Sequence, residues 1–421
     1  MKTLILRSSL QTDDFVRNEY AELIGRLENE CHAEIQILGD ENVETRLIAS
    51  LQNIPDAFMI ATGGVENLFK RIWTMIDVET VCTPSLRKTV TMIADGRNNS
   101  LAAALEILTY LGNEGVEGRI VHGTNDEIVE TLRATSPLSG LRIGLFGQPS
   151  DWLIASGVDR DFLRRRYGVT TLDIDLQRLI DGIKAVPQAE ADKVSQGILQ
   201  RARGVKEPSP ADLLEAAKAY LAIKQICKEE RLDAMTIRCF DIIKTCGTTS
   251  CLALALLNDE GLVAGCEGDM QTLMSMLLVR RVCGEKAFMA NPSILSDGSA
   301  MLAHCTIPLG MCDEISLRSH FESGIGVAIQ GVLPLTDYTL FKWGGPTLDR
   351  YFVAEAKALE APYSDHFCRT QITLDVNLKP YLLQHSIGNH HVVIRGRHGE
   401  AIKAAMARLS LVSQRIDRVG P

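Results

Sequence analysis

Short apolar or β-branched runs alternate with amphipathic stretches through the first 140 residues. Lys2 to Arg7 reads as a strand, Asp14 to Leu27 as a helix and Glu34 to Leu38 as the next strand. The rhythm continues through Ala57 to Ala61, the turn Thr62-Gly63-Gly64, a helix to about Met75, another over Leu101 to Leu111, and a strand over Arg119 to Val121. Alternation of this kind predicts a parallel sheet with helices on both faces.

The cycle restarts at the apolar run Leu141 to Gly147, after which Gln148-Pro149-Ser150-Asp151-Trp152 reads as the opening of a helix. A polar helical region, Gln188 to Lys206, leads to Ser209-Pro210, a capping Ser followed by a first-turn Pro, and a helix to about Glu229. A strand at Ala234 to Ile237 and a helix over Ser250 to Leu257 complete a second α/β layer.

Beyond residue 300 the periodicity shortens to strand-like runs, at Met301 to Thr306, Gly326 to Gln330, Tyr338 to Lys342, Tyr351 to Ala354 and Gln371 to Val376. Helical signal returns only at Glu400 to Leu411. The expected fold class is therefore α/β. Two consecutive Rossmann-like parallel α/β domains, over residues 1–140 and 141–295, precede a mainly antiparallel, barrel-like β-domain over 296–421 that ends in a helix.

Composition narrows the function. Apolar residues make up 46% and charged residues 23% of the 421, which is ordinary for a globular chain. A net charge of −9 supplies no basic field for phosphate backbones or anionic lipid, so neither nucleic acid nor membrane is an expected partner. No apolar run is long enough for a signal peptide or a membrane span, and the 11 scattered cysteines do not form a disulfide framework. The expected location is the cytoplasm.

The glycine signals Thr62-Gly63-Gly64 and Gly144 to Gly147 lack a full dinucleotide-binding pattern and read as strand-to-helix turns. More informative is Gly265-Cys266-Glu267-Gly268-Asp269, which follows a short apolar strand and precedes the helical run Thr272 to Val282, placing two acids at a strand-to-helix corner. Asp269 also suits a helix start on its own. Leu302-Ala303-His304 and Asn389-His390-His391-Val392 put histidines on apolar strands, and a Glu with remote histidines is a common donor set for a divalent cation. Neighbouring strand residues face opposite ways, so only one of His390 and His391 reaches a given site. Trp343, between β-runs, suits either stacking on a sugar ring or the core. Thr245 to Ser250 stands near a strand end, where hydroxyls meet ligands in open α/β sheets.

These elements, Glu267-Gly268-Asp269, Phe288-Met289, Ala303-His304 and His390-His391 in that order, resemble the L-arabinose/L-fucose isomerase family from about Gly261 onward. The resemblance implies a metal-dependent aldose-ketose isomerase working through an enediol on a sugar substrate, with Mn²⁺ as the divalent cation. It implies Glu267, His304 and His391 as metal ligands, Glu267 and Asp269 as catalytic residues, and Asn291, His390 and Trp343 at the substrate. It also implies a homo-oligomer, a trimer or a hexamer. The sequence departs from the family at Asn291, where a second carboxylate is the pattern; Asp297 stands six positions on. A neutral amide cannot shuttle a proton, so a sugar lyase, epimerase or hydrolase with the same metal site stands as an alternative, and a non-catalytic sugar-binding module as another.

Overall fold

The computed structural model describes residues 2–31, 33–43, 55–76, 90–135, 137–296, 298–409 and 414–415. Asp297 lies outside them. The chain forms two compact units, Met1–Gly140 and Leu141–Met406, with short C-terminal pieces added to each.

In the first unit, β1 (Lys2–Leu6), β2 (Glu34–Leu38), β3 (Ala57–Ile60), β4 (Val90–Ile93) and β5 (Gly118–Val121) pair in parallel in the order β2-β1-β3-β4-β5. Successive residues serve opposite faces. Leu4, Leu6, Phe58 and Ile60 enter one apolar cluster with Phe69 and Ile107, whereas Ile5, Ala57 and Met59 enter another with Leu23 and Val129. Both faces are covered by helices, which is why these strands carry near-continuous apolar runs.

The second unit opens with β6 (Arg142–Phe146), β7 (Thr170–Ile174), the two-residue β8 (Gly204–Val205), β9 (Ala234–Ile237) and β10 (Val263–Cys266). Four of them make a parallel sheet in the order β10-β9-β6-β7. The chain progresses one way from β6 to β7 and the other way through β9 and β10. That reversal leaves a crevice beyond the carboxyl ends of β6 and β9, the usual ligand position in open parallel sheets.

Eight further segments follow, the first starting at Ala287. They are β11 (Ala287–Ile294), β12 (Ser299–His304), β13 (Glu314–Arg318), β14 (Ala328–Val332), β15 (Asp337–Gly344), β16 (Arg350–Glu360), β17 (Thr370–Asp375) and β18 (His391–Arg395), with β19 (Gln414–Arg415) beside β16. Antiparallel pairing runs β15-β18-β11-β12-β17-β16, and β16 returns to β15, so six strands close a barrel. Phe288, Leu302, Leu340, Phe352, Ile372 and Val393 fill its apolar core. Closure removes the exposed strand edges that an open antiparallel sheet would present. The α/β class with two parallel sheets and a barrel-like β-region is thus as the periodicity predicts.

Two local expectations fail. No helix opens at Gln148 to Trp152; the chain stays irregular until Asp159 caps helix Arg160–Tyr167 by accepting the Phe162 N–H. The Ser150 amide is instead held by the Glu267 carbonyl at 2.9 Å, and the Arg238 guanidinium clamps Asp151 with two hydrogen bonds of 2.8 and 3.0 Å. A short helix also interrupts the β-region at Lys379–Gln384, with Pro380 in its first turn.

Candidate active site

Strand β10 ends at Cys266, and the chain must turn sharply into helix Met270–Cys283. Glu267 and Gly268 make that turn with φ of 61° and 73°, both left-handed. A non-glycine residue held there costs on the order of 1–3 kcal/mol and persists only where its surroundings dictate it. A Cβ on Gly268 would stand 2.6 Å from the Pro149 Cα, so the position tolerates no side chain. Gly268→Ala is therefore expected to destabilise the protein by about 1–3 kcal/mol, seen as a lowered unfolding midpoint.

Asp269 caps the helix. One carboxylate oxygen accepts the Thr272 amide at 2.8 Å; the other accepts the Thr272 hydroxyl at 2.8 Å and lies 2.9 Å from His390 Nδ1. The Lys342 ammonium, wholly buried, donates to Thr272 Oγ1 at 2.7 Å and stands 3.8 Å from Asp269. The outcome is a closed polar chain, Lys342 to Thr272 to Asp269 to His390. Burial disfavours the Asp269 anion, but the Lys342 charge and the His390 hydrogen bond hold its carboxyl well below the usual range. Burial in turn pulls Lys342 down, against the attraction of Asp269.

The other face of His390 meets Glu267. His390 Nε2 lies 3.6 Å from Glu267 Oε1, beyond hydrogen-bond distance, and is a buried nitrogen without a partner. The His304 ring, at the end of β12, stands 5.5 Å from the His390 ring. Thr306 Oγ1 engages His304 Nδ1 at 2.9 Å, which leaves Nε2 as the ring nitrogen outside that contact. Burial opposes ionisation of Glu267, yet the His390 contact, the His304 field and the Trp152 N–H together lower its pKa to about 2. For His390 the order is reversed: burial lowers it, and Asp269 and Glu267 outweigh burial and raise it to about 9. For His304, burial and the neighbouring His390 outweigh the attraction of Glu267 and drive it down to about 3.

The ligand atoms of Cys266, Glu267 and His304 fall within 4.8 Å of one another. A cation fits this arrangement. A buried imidazole nitrogen points at a carboxylate without bonding it, and Cys266, Glu267 and His304 supply soft and hard donor atoms close by.

His391 does not join this group. It faces the opposite way from His390, as strand alternation requires, with Nε2 bonded to the Tyr381 hydroxyl at 2.8 Å and Nδ1 2.8 Å from the Asn389 carbonyl. Its ring packs against Phe352 and Tyr381, so both of its nitrogens are engaged away from Glu267 and His304. Asp269 is fully buried with both oxygens engaged, one of them beside His390 Nδ1.

Of the two readings open for Trp343, the core is the one its surroundings match: it is wholly buried, donates its indole N–H to the Leu348 carbonyl at 2.7 Å and packs against Tyr167. Asn291 accepts a hydrogen bond from the Asn389 amide at 2.7 Å. Thr249 of the Thr245 to Ser250 stretch is tied to the Val327 backbone.

Sequence reasoning passed over two residues here. Lys342 carried a signal, since a charged side chain inside the apolar run Tyr338 to Trp343 calls for a buried partner. Trp152 carried a weaker one, its place just beyond the end of β6. Its indole N–H donates to Glu267 Oε2 at 2.7 Å.

No protein-family model matches the chain. It is 23% identical over 310 residues to the sulfoquinovose isomerase of Priestia aryabhattai, covering 69% of each chain. The sulfoquinovose isomerase of Alkalicoccus urumqiensis is 24% identical over 253 residues, 57% of this chain and 55% of the relative. That of Clostridium sp. (strain MSTE9) is 24% identical over 249 residues, 56% and 55% of the two chains. These similarities support an isomerase. Among the described residues, no helix is long and apolar enough to cross a membrane.

Proposed function

We propose that this chain is a metal-dependent aldose-ketose isomerase whose cation is held by Glu267, His304 and His390, with sulfoquinovose, the sugar in the relatives' name, as the first substrate to test. The observation that carries the reading is the buried, unpartnered His390 Nε2 facing Glu267, with His304 alongside. Mn²⁺ is the first ion to try. Co²⁺ and Zn²⁺ belong beside it, because the neighbouring Cys266 sulfur is a softer donor.

The proton next to a sugar carbonyl is weakly acidic, and a bound divalent cation supplies the Lewis acidity that stabilises the developing enediolate charge. Glu267, ionised and only partly buried, takes that proton and returns it to the adjacent carbon. Asp269 accepts a hydrogen bond from His390 Nδ1, which fixes the ring with Nε2 turned toward Glu267, where a cation would displace the Nε2 proton. Lys342 and Thr272 keep Asp269 in place and ionised. Because Asn291 supplies no second carboxylate on β11, Glu267 serves both carbons. A cytoplasmic homo-oligomer belongs to the same reading, and the free thiols of every described cysteine suit a reducing compartment.

The test strips the protein with chelator, restores Mn²⁺ and follows sulfoquinovose, L-fucose, L-arabinose and glucose by NMR. Ketose is expected to appear from at least one sugar with metal, and its formation to stop without it. Fragments of lower mass would establish the lyase alternative, and sugar bound without metal or turnover the binding module.

A further inference from the structure

Trp152 is a large aromatic side chain left 51% exposed, yet its loop is firmly held. Arg238 grips Asp151 through both carboxylate oxygens and the Pro149 carbonyl at 3.1 Å, while the Glu267 carbonyl holds the Ser150 amide. The indole is therefore presented rather than loose. Phe240 braces it edge-on, ring centroids 4.9 Å apart, and His320 braces Phe240 in the same manner at 5.7 Å. All three come from segments beyond the carboxyl ends of strands or from the adjoining barrel region, and the open indole surface adjoins the carboxylate that faces His390.

We propose that Trp152, backed by Phe240 and His320, is the platform on which the C–H face of the sugar rests, and that its indole N–H fixes the orientation of Glu267. The second role depends on the isomerase reading of Glu267; the first does not. An aromatic ring suits the apolar C–H face of a sugar, whose hydroxyls project sideways. The N–H bond to Oε2 leaves Oε1 as the oxygen turned toward His390. Trp152 is thus a binding residue through its ring and a positioning residue through its nitrogen.

The chain has three tryptophans, and Trp73 and Trp343 are 4% and 0% exposed, so collisional quenching of fluorescence by acrylamide reports on Trp152. Sulfoquinovose added to the metal-loaded protein is expected to shield this fluorescence, and the effect to vanish in Trp152→Phe. In turnover, Trp152→Phe is expected to hold KM within about threefold while kcat falls about tenfold, the loss of one charge-assisted hydrogen bond. Trp152→Ala is expected to raise KM about tenfold as well.

Turnover by Trp152→Ala with wild-type KM would overturn the platform, as would shielding that follows protein concentration rather than sugar. An unchanged kcat in Trp152→Phe would overturn the positioning role. If the wild-type protein turns over no sugar, the isomerase reading and with it the positioning role fail, and quenching alone decides the platform: sugar-dependent shielding supports it, and its absence overturns it.

Discussion

Glu267→Gln is expected to fold and to lose about 10³-fold in kcat, within the range that a positioned general acid-base residue contributes. The replacement keeps the shape of the side chain and an oxygen for the Trp152 N–H, so the strained turn and the loop contacts survive. What disappears is the negative charge and the capacity to take and return a proton. The charge also contributes to holding a cation, so metal binding is expected to weaken. Initial rates at saturating Mn²⁺ separate the two effects, because a deficit in metal affinity alone is repaired by added ion. A loss below tenfold at saturation would mean that another group moves the proton.

Lys342→Met is expected to cost about 3–5 kcal/mol of stability, the typical consequence of removing one partner of a buried ion pair. Lys342 and Asp269 are both fully buried, and the Thr272 hydroxyl links them. Methionine fills the volume but leaves Asp269 facing His390 without its ammonium. Denaturant titration measures the loss, and the double variant Lys342→Met with Asp269→Asn is expected to recover part of it, since the stranded charge is gone. Metal affinity is expected to fall about 10- to 100-fold, the usual effect of disturbing the partner that orients a ligating histidine. A stability change under about 1 kcal/mol would show that the chain from Lys342 to His390 is not coupled as the distances indicate.

The periodicity of the chain made the parallel sheets legible because strands covered on both faces carry unbroken apolar runs, as in Ala57–Ile60 and Ala234–Ile237. The closed barrel followed from the shorter runs after residue 300. The corner at Glu267 was visible as two acids around a glycine between a strand and a helix, and the left-handed turn explains why the glycine stands there. The sequence also indicated that His390 and His391 face opposite ways. It did not indicate which face holds the acids, because that depends on the pairing of β18 with β11 and β15 and on the packing of helix Met270–Cys283. Trp343 stood open between two readings and Trp152 was passed over for a related reason: only tertiary packing buries one and exposes the other.

The most direct measurement is to incubate the Mn²⁺-loaded protein with sulfoquinovose in D₂O and examine both sugar pools by NMR and mass spectrometry. The account predicts ketose, with solvent deuterium at the carbon that exchanges its proton through Glu267, and neither product nor deuterium in Glu267→Gln over the same interval. Sugar that stays unchanged and free of deuterium while the protein holds its metal would contradict it.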